Sequence, residues 1–112
     1  MSAVLWISWT VALGAPPVPA TVAREQAAAT AYSAALLRYD TGTGTLDDVY
    51  VWSRRWYDSQ GADARAAAAH AERMTALATK VHDRVASGTA PTFDEAAAAW
   101  YVADAQVLTG RP

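Results

Sequence analysis

Twice along this chain a helical repeat ends on a glycine-bearing turn and restarts on a threonine followed by acids. The first turn reads Arg38-Tyr39-Asp40-Thr41-Gly42 and then Thr45-Leu46-Asp47-Asp48. The second reads Arg84-Val85-Ala86-Ser87-Gly88 and then Thr92-Phe93-Asp94-Glu95. Glycine takes the left-handed conformation that closes a helix, and Thr at an N-cap accepts from the free amides of the next turn. Acids just after it suit the positive end of the helix dipole. The segments aligned this way repeat after about 46 residues, with a one-residue slip inside the turn that is recovered at Asp58-Ser59-Gln60 against Asp104-Ala105-Gln106. Two copies are too few for a solenoid, but they describe a helix–turn–helix unit duplicated within one bundle.

Periodicity places the helices. Val22, Ala29, Tyr32, Leu36 and Tyr39 recur at steps of three, four or seven and predict helix over about 22–40. Leu46, Val49, Trp52 and Trp56 start a second apolar stripe, and Ala66, His70, Met74, Leu77, Val81 and Val85 carry a third. Alanine supplies about a quarter of the chain and favours helix throughout. The expectation is therefore one long central helix over about 46–87, bent at Gly61. The alternative is two helices with a tight turn at Gln60-Gly61-Ala62. A last helix over about 93–108 opens on a capping box, Thr92 to Glu95, and turns Phe93, Ala97, Trp100, Val107 and Leu108 to the core. The predicted fold is all-α: a three-helix up-down-up bundle over 21–112, built on the long central helix.

The first twenty residues stand apart. All 9 Lys/Arg and all 11 Asp/Glu lie after them. Val4 to Ala15 is an apolar run too short to span a bilayer, which takes about twenty residues. It suits the apolar region of a signal peptide, and Val18 and Ala20 supply the small residues read at a cleavage site. No Lys or Arg precedes the run. The competing reading is a hydrophobic segment with Trp6 and Trp9 docked on the domain. Export predicts a periplasmic or secreted protein, with no stable membrane span once the segment is removed.

The turn residues carry a resemblance. Leu37-Arg38-Tyr39-Asp40-Thr41-Gly42, followed by Thr45-Leu46-Asp47-Asp48-Val49-Tyr50, resembles the TolC-type outer-membrane efflux protein family. That family repeats a Tyr-x-x-Gly turn, a Ser/Thr cap and a Leu-Asp-Val-Leu-x-Ala-Gln helix start. Tyr39 and Gly42 match the turn, Thr45 the cap, and Leu46, Asp48 and Val49 the helix start approximately. In the second copy Gly88, Thr92, Phe93 and Asp94 match less well, and Val85 replaces the Tyr. The resemblance covers about half the chain. The family's proteins are several times longer, trimeric and furnished with barrel strands, for which this chain has no alternating pattern. The resemblance implies a periplasmic, elongated helical hairpin and not a channel.

Chemistry is sparse. With 0 Cys there is no disulfide scaffold, thiol nucleophile or Cys–zinc site. A net charge of −2 argues against nucleic acid as a partner. His70 and His82 lie about 120° apart around one helix and share no ligand spacing with a carboxylate, so no metal site is predicted. No Ser sits in a Gly-x-Ser-x-Gly context, and Asp47/Asp48 and Asp94/Glu95 serve as helix-start acids. No catalytic residue, cofactor or enzymatic activity is expected.

The most unusual string is Tyr50-Val51-Trp52-Ser53-Arg54-Arg55-Trp56-Tyr57. Trp, Tyr and Arg dominate interface hot spots, and Arg stacks on aromatic rings. Trp52 and Trp56 are assigned to the core, and Tyr50, Arg54, Arg55 and Tyr57 to an exposed interaction patch. Trp100 and Tyr101 are expected to pack against this cluster. The expected role is a structural or protein-interaction module acting on a protein partner or on itself. The alternative is a small-molecule or metal-binding bundle lined by His70, Met74, Trp52 and Trp56.

Overall fold

The structure is a computed structural model and describes residues 17–110. The described chain is all-α. Helix α1 spans Ala20–Asp40, α2 Leu46–Ser59, α3 Ala64–Ala86 and α4 Thr92–Leu108. The signal-like stretch falls almost wholly outside the described residues, and Ala20 is the first residue of α1.

Two hairpins make up the bundle. Helix α1 packs on α2 and α3 on α4, and the hairpins meet mainly through α2 and α3, with a narrow contact between α2 and α4. The two hairpin turns use the same hydrogen bonds. The Arg38 carbonyl accepts from the amides of Thr43 at 2.9 Å and Gly44 at 3.0 Å. The Arg84 carbonyl accepts from those of Thr89 at 2.8 Å and Ala90 at 3.2 Å. Gly42 and Gly88 take φ of +79° and +78°, which lets the chain leave each helix. Residues 46 apart are equivalent through both turns, from Arg38 and Arg84 to Gly44 and Ala90. The register slip read from the sequence is absent here.

The copies differ at the last of these positions. A Cβ on Gly44 would stand 2.8 Å from the Arg38 Cβ, closer than side chains tolerate. The second turn carries Ala90 at the equivalent place, with the longer hydrogen bond.

The single central helix is corrected to two. Helix α2 ends at Ser59, and both Gly61 (φ +90°) and Ala62 (φ +54°) are left-handed. Asp63 then caps α3, its side chain accepting from the Ala66 amide at 2.8 Å. Helix propensity in the Ala-rich flank is worth only tenths of a kcal/mol per residue. It does not outweigh a left-handed glycine followed by a bonded N-cap. At α2 Thr45 is the N-cap and accepts from the Asp48 amide at 3.2 Å. The capping box at α4 does not form. Pro91 holds the N-cap position, Thr92 makes no cap hydrogen bond, and the Glu95 carboxylate pairs with His82 Nδ1 at 2.9 Å.

The core joins Ala35 and Tyr39 of α1, Leu46 and Val49 of α2, Met74, Leu77 and Val81 of α3, and Ala98, Tyr101 and Ala105 of α4. Ala66 and Ala67 pack with Tyr57 and Leu108 in a second cluster. The backbones of α1 and α3 stay apart, and long basic side chains of α3 bridge them. Lys80 pairs with Asp40 at 2.8 Å. Arg84 donates to the carbonyls of Tyr39 at 3.0 Å and Asp40 at 2.8 Å, at the negative end of α1. The bundle is long and flat, 59 × 33 × 14 Å, with a radius of gyration of 18.7 Å. A compact chain of this length would give about 13 Å. Among the described residues no helix is long and apolar enough to cross a membrane.

Candidate functional site

Helix α4 carries apolar residues all round, so its sequence does not decide which face turns inward. The structure turns Ala98, Tyr101 and Ala105 to the core. Phe93, Trp100 and Val107, assigned to the core from sequence, stand 76%, 57% and 71% exposed. The reason lies in the close α3–α4 packing. Fully buried Ala105 and nearly buried Ala98 let the backbones approach, and a Trp or Phe in those places would hold them apart. The large residues are therefore displaced outward, where spacing of seven aligns them on one stripe.

The inner edge of this stripe meets α2. Tyr50 stacks on Tyr101 with ring centroids 4.5 Å apart, and Trp100 lies edge-on to Tyr50 at 5.8 Å. Tyr50 Oη donates to the Asp104 carboxylate at 2.8 Å. Arg54 Nη1 reaches the same carboxylate at 3.3 Å and the Tyr50 oxygen at 3.3 Å. Burial, reinforced by the Asp104 hydrogen bond, raises the Tyr50 pKa above its ordinary value. Tyr101 donates to Asp47 at 3.1 Å, and burial first, then that carboxylate, raises its pKa strongly. Tyr50 and Tyr101 are thus fixed hydrogen-bond donors. The cluster presents Trp100, Tyr50, Arg54 and Asp104 on a surface continuous with Phe93.

The expected patch divides. Tyr50 and Arg54 are half-buried and belong to this cluster. Arg55 is exposed on another side of α2, its guanidinium 4.5 Å from the Trp52 ring centroid. Tyr57 is corrected to the core. It is 7% exposed, because it lies on the stripe with Leu46, Val49 and Ser53 that faces inward. Trp52 and Trp56 are half-buried towards α1, Trp56 lying against Tyr32 at 5.7 Å. Trp100 and Tyr101 pack against Tyr50 as expected from the sequence; the exposure of Trp100 and the part played by Asp104 were missed. The signal was the pair of alanines, Ala98 and Ala105, on one face with Tyr101, which competes with Phe93, Trp100 and Val107 for the inner side.

A second polar cluster is buried. Arg73 Nε donates to Ser53 Oγ at 2.6 Å, and its Nη2 donates to the Ser53 carbonyl at 3.0 Å. Ser53 Oγ lies 2.7 Å from His70 Nδ1. Ser53 Oγ thus bridges Arg73 Nε and His70 Nδ1. Nε2 is buried without a partner. Burial, then the charges of Arg73 and Arg54, lower the His70 pKa from 6.5 to about 4. A Ser–His contact of this length resembles a nucleophile beside its base. Both side chains are wholly buried, and no residue orients the far side of the ring. Arg73 also stacks over Trp56, 4.3 Å from its ring centroid. The arrangement ties α2 to α3.

Among the described residues no three His, Cys, Asp or Glu side chains gather as a metal site. His70 and Met74 are fully buried, and Trp52 lines shallow open grooves between α1 and α2.

The architecture is an all-α helical bundle of two hairpins with one exposed aromatic face. No family model matches the chain, and no curated protein or solved structure does.

Proposed function

We propose that the chain is an exported helical module without catalytic activity that works by protein contact, and that its contact face is the Trp100 cluster. One observation carries this reading: large apolar side chains stand exposed beside a hydrogen-bonded Tyr50–Arg54–Asp104 group where α2 meets α4. Aromatic residues and Arg at such density suit interface anchors, and Trp, Tyr and Arg lead among hot spots. The hydrogen bonds that hold Tyr50 and Arg54 in place lower the ordering cost of binding. Export rests on the uncharged, apolar first twenty residues and their prolines. The turn at Tyr39–Gly42, similar to that of the efflux family, supports an elongated periplasmic hairpin.

Site-specific photo-crosslinking in cells tests the proposal. A photoreactive residue at Trp100 should give discrete covalent adducts. The same residue at exposed Thr75 on α3 should not. Equal labelling at both positions, or none at Trp100, overturns the proposal. Cell fractionation tests export, and recovery with cytosolic markers would refute it.

A further inference from the structure

The exposed stripe of α4 is complementary to itself. Between its large residues lie exposed alanines: Ala96 falls between Phe93 and Trp100, and Ala103 between Trp100 and Val107. Phe93 and Ala103 are ten residues apart, and Ala96 and Trp100 four, both pairs centred on position 98. Two such helices laid antiparallel about a two-fold axis at that position bring each large residue over a small one. This is the knob-over-hole pattern of closely packed helix pairs. Like charges do not oppose it. Thr92, Ala99 and Gln106 flank one side, and Ala97 and Asp104 the other, with Asp104 already tied to Arg54. An anionic membrane is a poorer occupant, because α4 carries Asp94, Glu95 and Asp104 and no Lys or Arg.

We propose that α4 pairs antiparallel with α4 of a second copy, seating Phe93 and Trp100 of each chain over Ala103 and Ala96 of the other. This rests on the reading of the Trp100 cluster as a contact face and names its partner. Seventeen residues of helix extend about 25 Å. One helix pair of that length buries on the order of 1,000 Å², the lower end of specific interfaces. The dimer is therefore weak and concentration-dependent.

Sedimentation equilibrium of the full chain tests it, from about 5 µM to about 500 µM. The expected result is a twofold rise in mass, lost in Trp100→Glu and in Ala103→Phe, which fills the hole. A mixture of Phe93→Cys and Ala103→Cys chains should form a mixed disulfide under mild oxidation, while each variant alone should not. Self-linking of either single variant means parallel pairing and overturns the proposal, as does a monomer at every concentration. Acrylamide quenching separates that failure from failure of the contact-face reading. The readout is the quenching lost on Trp100→Phe. A monomer in which Trp100 is quenched freely keeps the face and removes only the second copy as its partner. A monomer in which Trp100 is protected removes both.

Discussion

Lowering the pH should weaken this bundle through one residue. His70 is wholly buried between α2 and α3, and its folded pKa is lowered to about 4 from 6.5. The unfolded chain therefore takes up a proton as pH falls through 6.5, while the folded chain stays neutral there until about 4. The unfolded state binds more protons across that window. The stability contributed by neutral His70 is thus complete above about pH 7 and is lost progressively below it. Linkage gives a loss of about 2 kcal/mol between pH 7.5 and 5.0, approaching about 3 kcal/mol near pH 4. The assay is urea unfolding followed by tryptophan fluorescence at both pH values, for the native chain and for His70→Gln. Every other ionisable group is common to both chains, so the comparison isolates His70. With m near 1–2 kcal/mol/M, the native midpoint should fall about 1–2 M further than that of the variant. Parallel falls in the two proteins would refute the reasoning, and would mean that His70 takes up its proton in the folded state without penalty.

Four further outcomes follow from the turns and the buried cluster. Gly42→Ala and Gly88→Ala should cost similar amounts, about 1–2 kcal/mol each, because both sit at positive φ in matching turns; thermal unfolding compares them, and a clearly unequal pair would contradict the equivalence. Gly44→Ala should destabilise through its clash with Arg38, whereas Ala90→Gly at the equivalent place should cost less than about 1 kcal/mol in the same melts. Ala62→Gly should leave stability unchanged or raise it by up to about 1 kcal/mol, since relief of the left-handed alanine outweighs the added chain entropy; a loss in urea titration would place the strain elsewhere. Ser53→Ala should cost about 2–3 kcal/mol by the same titration, because it strips Arg73 Nε and His70 Nδ1 of their shared partner.

The helix ends marked by side-chain chemistry were legible. Gly42 and Gly88 named the turns, and Thr45 named the start of α2. The Asp63 cap went unread, because the alanine run around it carried the stronger helical signal. Only a left-handed residue at Gly61 and Ala62 makes the cap decisive. The inward face of α4 was not legible, because choosing it by size inverts the physics of close helix packing. There Ala98 and Ala105 go in beside Tyr101, and Phe93, Trp100 and Val107 come out. The same inversion holds in α2, where Ser53 occupies the centre of the buried stripe and both tryptophans sit at its edge. Tyr50 and Arg54 were singled out by the Tyr50–Tyr57 string, with Trp100 expected beside it. Trp100 and Asp104 lie fifty residues away in sequence and join them only through the meeting of the two hairpins.

The duplicated turn also bears on how the chain reaches its fold. Each hairpin closes over a handful of residues, and its turn hydrogen bonds all form within a single stretch of backbone. Little loop entropy is lost in forming either one. Contacts of such short sequence separation belong to the fast end of folding rates, in the microsecond to millisecond range. The slower event is the docking of one finished hairpin on the other, when Arg73 finds Ser53 and the Arg84 guanidinium closes over the end of α1. A chain arrested before that step would hold most of its helix and the α4 stripe but not the aromatic cluster, since Tyr50 and Trp100 come from different halves.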